Sequence, residues 1–152
     1  MNIDLQPVTI ENWYACTQLK VKPEQLALFP ASVVYWIAES KYASDFELRA
    51  IYSESLLVGF LVFCTEPDPD NNYWIPALMI DEKHQGKGYG KAALKTLIQL
   101  MSKDNSNGTR IMIGHRPDNR IAGTLYESLG FIQVSRELID GEIVRLLQIG
   151  RA

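Results

Sequence analysis

Leu78-Met79-Ile80-Asp81-Glu82-Lys83-His84-Gln85-Gly86-Lys87-Gly88-Tyr89-Gly90-Lys91 joins the end of an apolar run to a glycine-rich turn and the start of a helix. Beyond Gly90 the apolar residues Leu94, Leu97, Ile98 and Met101 recur at i, i+3, i+4 and i+7, the spacing of a helix with one face on a sheet. Amide N–H groups at a helix N-terminus lack an intrahelical acceptor and carry the positive end of the helix dipole. Gly86, Gly88 and Gly90 keep side chains away, so an oxygen-rich anion can approach that backbone. Lys87 and Lys91 flank the turn. The stretch reads as a strand, loop and helix that grip a phosphate or diphosphate, and it implies a phosphorylated cofactor.

Two common phosphate loops do not fit. A dinucleotide site spaces its glycines G-x-G-x-x-G, with an acidic residue about 20 positions on. Here the spacing is G-x-G-x-G, and the candidate acid, Asp104, falls in a polar Asp-Asn-Ser-Asn-Gly loop. A Walker loop needs Ser or Thr after Gly-Lys, and Ala92 stands there instead.

At 152 residues the chain suits one domain spanning 1–152. It is 47% apolar and 22% charged, with a net charge of −3 that argues against nucleic-acid binding by bulk electrostatics. No apolar run approaches the roughly 18 residues of a membrane span, and the first residues lack a signal peptide's basic and apolar regions. Cys16 and Cys64 show neither C-x-x-C nor metal-ligand spacing. They read as buried free thiols in a cytoplasmic protein without a metal.

Reading outward, residues 3–8 form a strand and Thr9 an N-cap, with Asn12 where a capping box wants Glu or Gln. A short helix follows, Pro23 and Pro30 bracket a break, and residues 31–40 form a second helix. Residues 47–52 and 56–64 form a hairpin, the latter apolar on both faces as in a central strand. Residues 66–72 are a loop. Residues 73–80 are extended, but Pro76 lacks an N–H and demands a bulge or a break in pairing. Asn105-Ser106-Asn107-Gly108 stops the long helix. A strand over 110–114, a helix over 120–128 with Gly130 at C′, and strands over 131–139 and 142–148 complete the chain. Asp140-Gly141 is a two-residue type I′ hairpin signal. The order is βααβββαβαββ.

Gln85-x-x-Gly88-x-Gly90 resembles the diphosphate loop of the GCN5-related N-acetyltransferase (GNAT) family. Asn119-x-x-Ala122-x-x-Leu125-Tyr126-x-x-x-Gly130-Phe131 resembles the segment that follows that family's fifth strand. The outer patterns Val21-Lys22-Pro23-Glu24-Gln25 and Asp140-Gly141-Glu142-Ile143-Val144 are similar to the bacterial polyamine (spermine/spermidine) acetyltransferase branch. The resemblance implies an α/β (α+β) fold: one domain with a mixed, mostly antiparallel central sheet, helices on both faces, and a splay between the fourth strand (73–80) and the fifth (110–114).

It also implies an acetyl-CoA-dependent N-acetyltransferase acting by direct transfer on a primary amine such as spermidine or spermine, with acetyl-CoA as cosubstrate. Main-chain groups of Leu78, Met79 and Ile80 would pair with the pantetheine arm, and one N–H near Met79 would hold the oxyanion. Gln85, Gly86, Lys87, Gly88, Tyr89, Gly90 and Lys91 would hold the diphosphate. Asn119 would either hydrogen-bond the cofactor or cap its helix. Tyr126 would contact the cofactor and protonate the departing thiolate, since a phenol of pKa near ~10 is protonated at neutral pH.

A primary amine of pKa near ~10.4 is almost wholly protonated at pH 7, and freeing its lone pair costs roughly 4.6 kcal/mol. The fourth-strand glutamate that many acetyltransferases use is absent from Tyr73-Trp74-Ile75-Pro76-Ala77. Glu24, Glu39 and His115 are the candidates, and the base stays unassigned. Glu24, Glu39, Glu66, Asp68 and Asp70 could draw in a polyammonium substrate. Another small amine, an aminoglycoside, a protein N-terminus, or a non-catalytic acetyl-CoA sensor remain alternatives. The sequence leaves open whether the chain pairs into a homodimer.

Overall fold

The computed structural model describes residues 1–29, 31–103 and 108–150. Its elements in chain order are β1 (Ile3–Pro7), α1 (Trp13–Thr17), a 3-10 turn (Pro23–Leu28), α2 (Val33–Ser40), β2 (Phe46–Ser53), β3 (Leu56–Cys64), β4 (Tyr73–Ile75) and β5 (Ala77–Ile80). A second 3-10 turn (Glu82–His84), α3 (Tyr89–Ser102), β6 (Thr109–His115), α4 (Arg120–Ser128), β7 (Ile132–Gln133) and β8 (Ile143–Ile149) follow.

Pro76 organises the sheet. The run expected as one strand over 73–80 is two strands that serve different half-sheets. β4 lies parallel to β6, with Ile75 opposite Ile113, whereas β5 lies antiparallel to β3, with Met79 opposite Phe60. The half-sheets have the orders β1-β2-β3-β5 and β4-β6-β8-β7. A residue without an N–H is where a ladder can stop at least cost, so the chain changes partner there. Beyond the Ile75–Ile113 pair the two halves part, and among the described residues no strand covers the second edge of β5. All pairings but β4–β6 are antiparallel.

β3 is buried from Val58 to Cys64, as its two-sided apolar run requires. On one face Leu61 and Phe63 pack with Leu94 and Leu97 of α3 and Tyr126 of α4. On the other, Phe60 and Val62 meet Cys16 of α1 and Val33 and Trp36 of α2. Helices therefore cover both faces.

Three local expectations need correction. The first helix starts at Trp13, not Thr9: the Asn12 side chain accepts the Thr9 N–H (2.7 Å) across a preceding turn. The strand expected over 131–139 pairs in register only at Ile132 and Gln133. Ser135 Oγ accepts the Glu137 N–H (3.1 Å), a local turn that competes with the ladder. Ladder contact resumes at Ile139 and Glu142, around Asp140 (φ 51°) and Gly141 (φ 81°), the two positive-φ residues of a type I′ turn. Pro30, Asp104 and most of the helix stop at Asn105-Ser106-Asn107 lie outside the described residues.

Candidate active site

The glycine loop has the geometry its sequence demands. Gly86 (φ 78°) and Gly88 (φ 86°) are left-handed, and Gly88 is the N-cap of α3. Ala92 donates to the Gly88 carbonyl at 3.1 Å, the first bond of the helix. No side chain caps this end, and the N–H groups of Gly88, Tyr89, Gly90 and Lys91 have no acceptor among the described residues. Successive amides around left-handed residues form an anion-binding nest. A Cβ on Gly86 would meet nothing within 4 Å, so the concavity is open. Gly90 differs: its Cβ would lie 3.7 Å from both Ile80 and Leu125, so this glycine serves the packing of α3 on the sheet. Tyr89 packs its ring on the core and presents only its main chain, whereas Lys87 and Lys91 are exposed.

Gln85 does not face the loop. It exchanges hydrogen bonds of 3.0 and 2.9 Å with Gln25 and donates to the Ile80 carbonyl (2.9 Å). Gln25 Oε1 also accepts the Lys22 N–H, and Asp81 accepts the Lys20 N–H, so residues 20–25 strap the loop to the end of β5. The Gln85 side chain therefore braces the loop, its amide donors already committed to Gln25 and Ile80.

Along β5 the ladder decides which amides are free. Asp81 donates to the Val58 carbonyl (2.8 Å), which makes Ile80–Gly59 a non-hydrogen-bonded pair. Antiparallel alternation then turns the N–H and C=O of Met79 toward β3 and leaves the N–H groups of Leu78 and Ile80 on the uncovered edge. Met79 adds side-chain wall, and its own amide is not the free donor.

That edge leads into a cleft of about 820 Å³ between the half-sheets, walled by Pro76 to Met79, the end of β6, α4 and the 19–36 region. Tyr126 lies at its wall, 6% exposed. Its backbone is fixed by a complete Schellman motif: Phe131 N–H bonds Tyr126 O (3.1 Å) and Gly130 N–H bonds Glu127 O (3.0 Å), with Gly130 at φ 96°. The Tyr126 and Phe131 rings complete it at 6.0 Å. Burial, with Glu142 adding to it, pushes the phenol far above its ordinary pKa. The hydroxyl has no hydrogen-bond partner among the described residues, so it is a protonated donor without a client.

Residues 9–131 match the acetyltransferase (GNAT) family. This chain is a GNAT acetyltransferase. It is 33% identical over 155 aligned positions to the spermine/spermidine N(1)-acetyltransferase of Bacillus subtilis strain 168, covering 98% of this chain and 100% of that protein. The solved spermidine N-acetyltransferase from Vibrio cholerae, in complex with CoA and spermine, superposes with a TM-score of 0.74 at 13% identity, over 97% of this chain and 94% of that one. The aminoglycoside acetyltransferase AAC(6')-Ib, in complex with coenzyme A, gives 0.79 at 15%, over 96% and 94%. These two share the fold.

In this acetyltransferase His115 is no free base. Arg145 Nε donates to its Nε2 (3.0 Å), and its Nδ1 lies 2.9 Å from the Arg116 carbonyl. Arginine can only donate, so His115 Nε2 is the acceptor of that bond. Arg145 is held in turn by Glu127 (3.0 Å). The His115 ring stands edge-on to Tyr126 at 5.8 Å and backs the phenol. Asn119 caps α4 by accepting the Ala122 N–H (3.2 Å), so its Oδ1 is structural, although the residue also lines the cleft.

The acids named from sequence lie elsewhere. Asp68 accepts the Asp70 and Asn72 N–H groups and the Trp74 indole, which hold its carboxyl below the usual range. Glu66, Asp70, Glu24 and Glu39 do not line the cleft. Its carboxylates are Asp140 and Glu142, carried in by the type I′ turn. The turn was legible in the sequence, but not the fact that it opens onto Tyr126.

Proposed function

We propose that this acetyltransferase moves the acetyl group of acetyl-CoA to a primary amine of a polyamine such as spermidine or spermine, by direct transfer. The observation that carries the reading is the unpartnered phenol of Tyr126 at the wall of a cleft reached by the uncovered edge of β5. The Bacillus relative named a spermine/spermidine acetyltransferase supplies the substrate class.

The loop fits a diphosphate: four consecutive N–H groups face an open concavity with two lysines beside it. When bound, acetyl-CoA supplies an activated thioester. The N–H groups of Gly88, Tyr89, Gly90 and Lys91 hold the phosphates, and Gly86 and Lys87 shape the approach. The amides of Leu78 and Ile80 line up the arm that runs along β5. An amide aimed at the thioester oxygen is worth about 3–4 kcal/mol of barrier, as for oxyanion donors generally. Tyr126 gives its proton to the departing thiolate. Its raised pKa keeps the proton in place at neutral pH.

The two cysteines are free, with thiols pushed up to about 11 by burial, which suits a reducing cytoplasm. The partner in this reading is the small amine, and nothing in it calls for nucleic acid, a membrane or a second copy of the chain.

The test is CoA release from acetyl-CoA with a panel of amines. Release with spermidine or spermine supports the reading. Turnover only with aminoglycosides or peptide N-termini replaces the substrate, and cofactor binding without release to any amine would make the protein a sensor. Tyr126→Phe is expected to lower kcat roughly 10²-fold or more and to leave acetyl-CoA affinity within a few-fold. Equal turnover would remove Tyr126 from the chemistry.

A further inference from the structure

We propose that the Glu142 carboxylate receives the acceptor's ammonium group and takes its proton, filling the role that β4 leaves vacant. This rests on the acetyltransferase reading of the cleft.

Position comes first. The Asp140-Gly141 turn returns the chain to β8 so that Glu142 N–H and C=O pair with Ile139 (3.0 and 2.8 Å). The Glu142 side chain lies across Gly114, where a Cβ would sit 2.6 Å from Oε1. Gly114 follows Ile113, the last residue paired with β4, so the carboxylate stands at the point where the half-sheets part. A glycine there leaves the space that the carboxylate fills. Tyr126 faces the same cleft from α4.

Commitment comes second. Of the other carboxylates around the site, Asp81 holds two amides, Glu127 holds Arg145 and Glu82 pairs with Lys20, whereas Asp140 sits exposed on the turn. The carboxylate of Glu142, half-buried, makes no hydrogen bond or ion pair among the described residues. An acceptor with no donor, in a cleft whose opposite requirement is a cation, is a receptor for that cation. The groups facing it are Asp140 on its own turn, His115 and Arg116 at the end of β6, and Tyr126. Of these Arg116 is cationic and His115 Nε2 is taken up by Arg145, while Asp140 adds a second carboxylate suited to a polyammonium chain.

The step balances. The ammonium loses one proton to Glu142, which passes it to water. The freed nitrogen lone pair attacks the thioester carbon. As the carbon–sulfur bond breaks, the thiolate takes the Tyr126 proton, and the second proton leaving the new amide nitrogen restores the phenol. One proton is released per acetyl group transferred.

The test measures kcat/KM for spermidine between pH 7 and pH 10, with Glu142→Gln and Glu142→Asp beside the wild type. At pH 7 Glu142→Gln is expected to lose roughly 10²-fold, and the deficit should shrink toward pH 10, where the amine frees its own lone pair. Glu142→Asp should keep part of the activity and the wild-type pH profile. Acetyl-CoA affinity should be unchanged in both. A deficit of the same size at every pH, or none, overturns the proposal. So does a fall in Tm that matches the lost activity, because a carboxylate without partners opposes folding and Glu142→Gln should fold at least as well. If the wild type acetylates no amine at all, it is the reading of the cleft that fails.

Discussion

The two ends of the proposed site, one for phosphate and one for the amine, are built on opposite plans. The phosphate end is main chain: four amides in a row, two left-handed glycines and a helix start, all within residues 86–91. The amine end is side chain: Tyr126 from α4, His115 from β6, and Asp140 and Glu142 from the turn before β8. A site made of consecutive amides is written in one short stretch, because the residues that permit the backbone are the site. A site made of side chains from three elements exists only once the sheet has formed and split. The first should break under any change that closes the backbone's approach, the second under small shifts in packing.

The largest effect is expected at Gly88. At φ 86° a side chain is strained by about 1–2 kcal/mol, and an aspartate adds negative charge beside the phosphate nest. Gly88→Asp should weaken CoA binding by at least 100-fold in calorimetry, with little change in the folded state. Gly90→Ala is the contrast, since its methyl meets Ile80 and Leu125 at ordinary contact distance and should leave affinity within a few-fold. If both variants bind CoA equally, the amides of the loop are not the grip.

This contrast explains what the sequence could carry. The helix register of α3, the C′ glycine of α4, the break at Pro76 and the type I′ turn each rest on local chemistry, and each stands where its residues put it. Gln85 and Gln25 lie 60 residues apart, so no local pattern could show that they bind each other. Asp68 read as a free acid because its three partners are fixed by loop folding, not by composition. Glu142 was visible only as part of a turn. Its value depends on Gly114, a glycine whose sole local meaning is a gap in a strand.

The packing of the amine end can be tested without touching a reacting group. Gly123 lies under His115, and a Cβ there would stand 3.0 Å from Cε1 and 3.3 Å from Nε2. Gly123→Ala must displace the imidazole against Arg145 or Tyr126, although alanine favours the helix. The expected result is a roughly tenfold loss of kcat, with CoA affinity retained. An unchanged kcat would mean that His115 does not position the phenol.

The smallest effect bears on the burial that keeps Tyr126 protonated. Its folded pKa lies above the unfolded value near ~10, so its contribution to stability is complete below pH 10 and is lost as pH rises beyond it. At pH 11 the unfolded phenol has ionised while the folded one has not, a difference of about 1.4 kcal/mol. Tyr126→Phe cannot ionise in either state. Between pH 9 and pH 11 the wild type should therefore lose about 3–6 °C of Tm more than Tyr126→Phe, given some 2–4 °C per kcal/mol for a chain of this size. The other tyrosines titrate alike in both proteins and cancel. Parallel curves would mean that the phenol is as well solvated as a surface tyrosine, and the amine end would lose the dry wall that separates it in kind from the open phosphate loop.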